Sequence, residues 1–187
     1  ARQNELTAQL PVEFQMGDIK ALPFPDNSFS CCRIDRVLQH IPQPQKAVVE
    51  LVRVLEPGGL LLAYDNDWKT FSVASENIEI TRALEDLWVG SFVNSRIGLH
   101  LSGYFISAGL TDVKIYPGTS VILDFPTANR VYNLHENVQK AIDVKIISTD
   151  QGKRWLEELI ERDARGSFMA TLTAYTVVGR KDKPDVK

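Results

Sequence analysis

Four groupings in the first half of the chain join residue types that can hold or activate a small ligand. Asp18 directly follows a short apolar stretch and precedes Ile19. In an open α/β sheet, ligands sit beyond the carboxyl ends of the parallel strands, and a carboxylate at such a strand end is well placed to meet one. The alternative is that Asp18 caps a turn and Ile19 belongs to the core. Arg33 and Arg36 bracket Ile34-Asp35. A guanidinium can grip a ligand carboxylate through two parallel N–H bonds, or it can pair with Asp35 or a glutamate at the surface. Gln39-His40 offers a candidate general base in His40, or else a packed ring. Asp65-Asn66-Asp67-Trp68 sets three polar side chains beside an indole. That combination suits a ligand mouth, with Asp67 positioning a hydroxyl or amine and Trp68 as a wall. The other reading is a turn with one exposed aromatic.

These groups need a scaffold. Residues 1–9 read as the end of a helix stopped by Pro11, and residues 12–16 as a short strand. Pro23, Pro25 and Asp26-Asn27-Ser28 make a turn before a second strand at 30–35. Apolar residues at 47, 48, 51, 52 and 55 repeat with helical period over 45–55, and Pro57-Gly58-Gly59 ends that helix. The continuous apolar run at 60–64 predicts a strand covered on both faces. Strand, helix, strand within one sheet means parallel strands. Helices follow at 76–90 and 97–108, then a strand at 112–124 interrupted by Pro117-Gly118. A helix is expected over 127–147 and another over 150–163 with Asp150 as its N-cap. Residues 167–179 are rich in strand formers, and the charged tail from Lys181 is expected to fray.

Bulk properties exclude several classes. The 187 residues suffice for one domain with a sizeable core, and 44% hydrophobic with 24% charged residues is ordinary for a globular protein. A net charge of -3 argues against nucleic acid as the main partner, since phosphate binding needs a clustered basic face. The sequence has no apolar run long enough for a membrane span and no signal-peptide core at its start, so a cytoplasmic location is expected. Cys31 and Cys32 are adjacent and point to opposite faces of a strand, which fits two small buried residues in a reducing compartment. No Cys/His spacing suggests a metal.

The stretch Gly17-Asp18 through Leu22-Pro23-Phe24-Pro25-Asp26-Asn27-Ser28-Phe29 to Pro57-Gly58-Gly59 resembles the later half of a class I S-adenosylmethionine-dependent methyltransferase, in the branch of the ubiquinone/menaquinone C-methyltransferases. The family's usual Asp after that Phe is Ser30 here, a structural position. The resemblance implies an incomplete Rossmann-like α/β sheet, with a C-terminal antiparallel hairpin that carries a helical insertion at about 126–165. The insertion would form a lid or wall of the acceptor pocket, or a dimer contact. It further implies S-adenosylmethionine as cofactor and a small-molecule methyl acceptor as partner. Asp18 would accept from the adenine amino group and Ile19 would cover the base. Arg33 and Arg36 would lie at the methionine part. Gln39, Asp67 and Trp68 would face the acceptor, with His40 and Asp67 as catalytic groups.

The family's glycine-rich loop has no counterpart before Asp18, where 17 residues stand and a βαβ unit takes ~30 or more. A single partial domain over 1–187 is therefore expected, N-terminally truncated and inactive alone. Apolar strand edges would be left open, favouring a homodimer or a strand-swapped oligomer. The competing expectation is a non-catalytic binding or oligomerisation module derived from the same fold. A nicotinamide-binding dehydrogenase shares the fold class but does not account for Leu22 to Phe29.

Overall fold

A computed structural model describes residues 12–183. Its centre is one mixed four-stranded sheet in the order β1-β2-β4-β3. β1 (Phe29–Asp35) lies parallel to β2 (Leu55–Val73), with Asp35 opposite Tyr64. β4 (Ala170–Lys181) runs antiparallel to both β2 and β3 (Leu110–Ile122). Between β1 and β2 come a one-turn 3-10 helix, Leu38–His40, and α1 (Pro44–Val54). Proline opens α1 where no backbone donor is needed, and the residues it buries, Ala47, Val48, Leu51 and Val54, recur at helical spacing. α2 (Ile78–Val89) and α3 (Ile97–Ser107) follow β2. α4 (Phe125–Tyr132), α5 (Leu134–Asp143) and α6 (Thr149–Ala164) fill the connection from β3 to β4.

Two hydrophobic clusters hang on the same long strand. The first half of β2, through Leu55, Leu61 and Ala63, packs with Leu38, α1 and α3. Its far end, through Trp68, Phe71 and Val73, packs with α2, α4, α5 and α6. Alternation along β2 buries Leu61, Ala63 and Asp65 and leaves Leu60, Leu62 and Tyr64 half-buried. The pairing of β2 with β4 shifts between Asp67 and Ser72, a bulge. Thr70 fills the gap: its hydroxyl accepts from the Thr173 N–H at 2.8 Å and donates to the Asp67 carbonyl at 2.7 Å.

Several expectations are corrected. Residues 12–16 form no strand; Met16 is 97% exposed, and without a ladder partner an extended segment gains nothing from pairing. The strand expected to stop at 64 runs on to Val73, through the polar Asp65-Asn66-Asp67 expected as a ligand mouth or a turn. Pro117 does not interrupt β3, because on an edge strand a missing N–H costs no ladder bond; the irregularity lies at Thr111/Lys114 instead. The helix expected over 127–147 is two helices, broken at Asn133, whose φ of 51° is left-handed. Ser148, not Asp150, caps α6, in a reciprocal box with Gln151. Cys31 is exposed, on a strand at the edge of the described sheet. Lys181 is anchored rather than frayed. The helix expected at 1–9 lies outside the described residues. Among the described residues no helix is long and apolar enough to cross a membrane, and no group of three His, Cys, Asp or Glu residues could hold a metal ion.

Candidate active site

An open recess of about 510 Å3 lies at the carboxyl end of β1, beside the middle of β2 where the parallel pairing of the two strands stops. Asp35 and Arg36 border it from β1; Tyr64, Asn66 and Trp68 line it from β2. Strand alternation decides which polar residues reach it. Asn66 and Trp68 share a side of β2, whereas Asp65 and Asp67 do not line the recess. Gln39 and His40 enter from the 3-10 turn, Trp88 and Phe92 from α2 and the segment after it, and Tyr132 and Asn133 from the α4–α5 joint.

The aromatic wall is self-supporting. Trp68 and Phe92 stack at 4.3 Å between ring centroids, and Trp88 meets Trp68 edge-on at 4.8 Å. The indole N–H of Trp68 donates to Gln39 Oε1 at 2.7 Å, and Gln39 Nε2 stands 2.9 Å from His40 Nε2. Burial pushes the Tyr132 phenol above its usual value, so it stays protonated at neutral pH.

Asp65 sits beneath this arrangement, 1% exposed. Desolvation pushes its carboxyl up to about 6, against the backbone N–H groups of Asn66, Gln39 and Leu38 that favour the charged form. It thereby ties the 3-10 turn bearing Gln39 and His40 to β2. Behind it, Gly98 of α3 lies so close that a Cβ there would come within 2.9 Å of the Asp65 carbonyl oxygen.

The residues expected at a ligand site fall into two groups. Gln39, His40, Arg36 and Trp68 come together at the recess. Arg36 is held through Asp35: its Nε lies 3.0 Å from Asp35 Oδ1, while Arg33 takes Oδ2 at 2.8 Å. Asp67 is buried and pairs with Arg96 at 3.5 Å, and neither Asp67 nor Arg33 lines the recess. Asp18 and Ile19 also lie outside its lining. Asp18 Oδ1 accepts from the Lys20 N–H at 2.9 Å in an exposed tight turn, and Ile19 packs against the α1 cluster. The loop that follows is gripped by Arg53, which donates to the Phe24 and Leu22 carbonyls and to Asp26, while Phe24 and Phe29 meet edge-on at 4.9 Å. Tyr64, Trp88, Phe92, Ser120, Tyr132 and Asn133 were not anticipated, and Asn66 was named within the polar cluster beside Trp68 but given no role of its own. Only Asn66 had a local signal, its two-residue spacing from Trp68 on a strand.

The fold has a counterpart among solved structures. The protein YcgJ of Bacillus subtilis superposes with a TM-score of 0.60 at 21% identity, over 96% of this chain and 76% of that one. The sequence profile of a family described as "Methyltransferase domain" matches residues 1–63. The fold is that of a class I S-adenosylmethionine-dependent methyltransferase. An uncharacterized 37.1 kDa protein in transposon TN4556 of Streptomyces fradiae is 36% identical over 176 residues, 93% of this chain and 50% of that protein. The ubiquinone/menaquinone biosynthesis C-methyltransferase of Hahella chejuensis is 38% identical over 69 residues, 37% of this chain and 28% of that enzyme. The chain thus spans half the length, or less, of these curated relatives. Within the methyltransferase fold, the expected α/β class and the terminal antiparallel pair of strands are both present, with three helices between β3 and β4.

For the cofactor of this fold, the described residues fit one end. An exposed carboxylate at Asp18 beside half-buried Ile19 offers an acceptor and an apolar face, the chemistry an adenine requires.

Proposed function

We propose that this chain takes part in methyl transfer from S-adenosylmethionine to a small-molecule acceptor held in the recess. One observation carries the reading: the recess opens at the carboxyl end of β1, where its parallel pairing with β2 stops at Asp35 and Tyr64, the place where open α/β sheets bind ligands, and its walls are aromatic with a few convergent polar groups. When bound, the cofactor supplies an electrophilic methyl on a sulfonium; the acceptor's lone pair forms the new bond while the carbon–sulfur pair passes to sulfur. The chain's part is positioning and exclusion of water. Trp68, Phe92 and Trp88 give a rigid apolar wall. Asn66 and Tyr132 supply neutral polar contacts, and the α4–α5 joint closes one side. Asp18 and Ile19 are assigned to the adenine. Arg36, steadied by Asp35, stands at the mouth. Asp67 orients α3 through Arg96 and is assigned a supporting role beneath the site.

The test is incubation with methyl-tritiated S-adenosylmethionine and fractionated small-molecule pools. Label should move into an extractable product, and Trp68→Ala should cut the rate at least tenfold. No transfer above background with any pool, together with no calorimetric binding of the cofactor, would overturn the reading. Binding without transfer would favour the non-catalytic module.

A further inference from the structure

The donor and acceptor chemistry of three side chains fixes something that no proton in the site has to be seen to establish. An indole nitrogen is a donor only. Trp68 Nε1 lies 2.7 Å from a Gln39 side-chain atom, which must therefore be the amide oxygen. That settles the orientation of the amide, whose two ends otherwise look alike. Its NH2 group then points at His40 Nε2, 2.9 Å away, and an amide nitrogen only donates. His40 Nε2 has to accept. In the neutral ring the proton is consequently on Nδ1.

We infer that His40 serves the recess as a hydrogen-bond donor through Nδ1–H, in a tautomer dictated by Trp68 and relayed by Gln39. Both relaying residues are buried, at 8% and 5% exposure, so water does not compete easily for the bond between them, and the bond to the exposed His40 is part-buried. No side chain or backbone group among the described residues bonds Nδ1, which leaves that N–H to meet a ligand's lone pair. The general-base role expected for His40 would require Nε2 to take a proton where it already accepts one from Gln39. Trp68 and Gln39 are then positioning residues: they touch the wall and the turn, and act on a ligand through the ring of His40. This assignment rests on reading the recess as the acceptor site, but the tautomer itself does not.

Nitrogen-15 NMR of the ligand-free, histidine-labelled protein tests it. The chain has three histidines, and a His40→Gln spectrum identifies the right one by difference. In the unaltered protein at a pH where the ring is neutral, Nε2 should resonate as the bare, downfield nitrogen and Nδ1 as the protonated, upfield one. Bare Nδ1 with protonated Nε2 would overturn the inference. In Gln39→Leu, and separately in Trp68→Phe, the two ring nitrogens should move toward each other in shift as both tautomers become populated. An unchanged Nδ1–H tautomer in both variants would overturn the relay. Because the spectra need no cofactor and no acceptor, a failed methyl-transfer assay would leave this result standing, and the reverse also holds.

Discussion

The ammonium of Lys181 lies 2.7 Å from the carbonyl oxygen of Leu55. It also donates to the Val52 carbonyl at 2.8 Å and to Asn27 Oδ1 at 2.9 Å. The last residue of β4 thus satisfies the open carbonyls at the end of α1, where a cation is also favoured by the helix dipole. Lys181→Met keeps the stem and removes the donor. It should lower unfolding free energy by about 1–3 kcal/mol in urea titrations, the usual cost of stranding part-buried acceptors.

The contact between Gly98 and the Asp65 backbone makes a second prediction. A Cβ at Gly98 would meet the Asp65 carbonyl oxygen and the Tyr175 ring, each at 2.9 Å. Backbone in a central strand cannot yield as a side-chain tip can, so Gly98→Ala should destabilise by about 1–3 kcal/mol. A methyl group at Gly103, in the same helix, would meet nothing within 4 Å. Gly103→Ala should be neutral or stabilise by up to about 1 kcal/mol through helix propensity. Paired thermal melts of the two variants separate packing from propensity.

Asp65 predicts a pH dependence. Its folded value is raised to about 6, above the ordinary carboxylate value of about 4. Between those two pH values the folded state binds more protons than the unfolded one, so this group's contribution to stability falls as pH rises from about 4 to about 6, then levels. The full span is on the order of 3 kcal/mol. Denaturation of the wild type and Asp65→Asn at steps from pH 4 to 8 should give a stability difference, wild type minus variant, that declines across this window. A flat difference would show that the carboxylate is not strained by burial.

Asn133 ends α4 and opens α5 at a φ of 51°, a conformation that a β-branched side chain resists. Asn133→Val should cost about 1–2 kcal/mol, while Asn133→Gly should hold wild-type stability within a few tenths. Both variants alter the same wall of the recess, so equal loss in both would mean that the side chain's contacts, and not the backbone, decide the joint.

Much of the scaffold is legible in the residues alone. β1, α1, α2, α3 and β4 carry their own periodicity and end signals, and each lies within a few residues of its expected place. What failed has a common cause. The strand was expected to stop before Asp65 because three polar residues are poor strand formers, yet tertiary pairing with β4 overrides that preference and carries the strand through. Asn133 split a helix whose apolar repeat ran past it. Of the residues that line the recess, Gln39 and His40 were named because they follow the end of β1, and Trp68 because its indole stands beside three polar residues. Tyr132 and Phe92 arrive from distant helices by packing, which no local pattern encodes. Asp67 was misplaced by its own strand: one residue along, the alternation gives Asn66 the view it was expected to have.

β2 joins two cores end to end, with the recess opening beside their junction. β4 also runs through both cores, placing Ala170 and Leu172 in one and Val177 in the other, so the stiffness of the join depends on the β2–β4 ladder and the bulge that Thr70 fills. A molecule lodged at that join would act as a splint. Its arrival should register first as slower amide exchange in the residues on either side of the seam, before any change in the outline of either half.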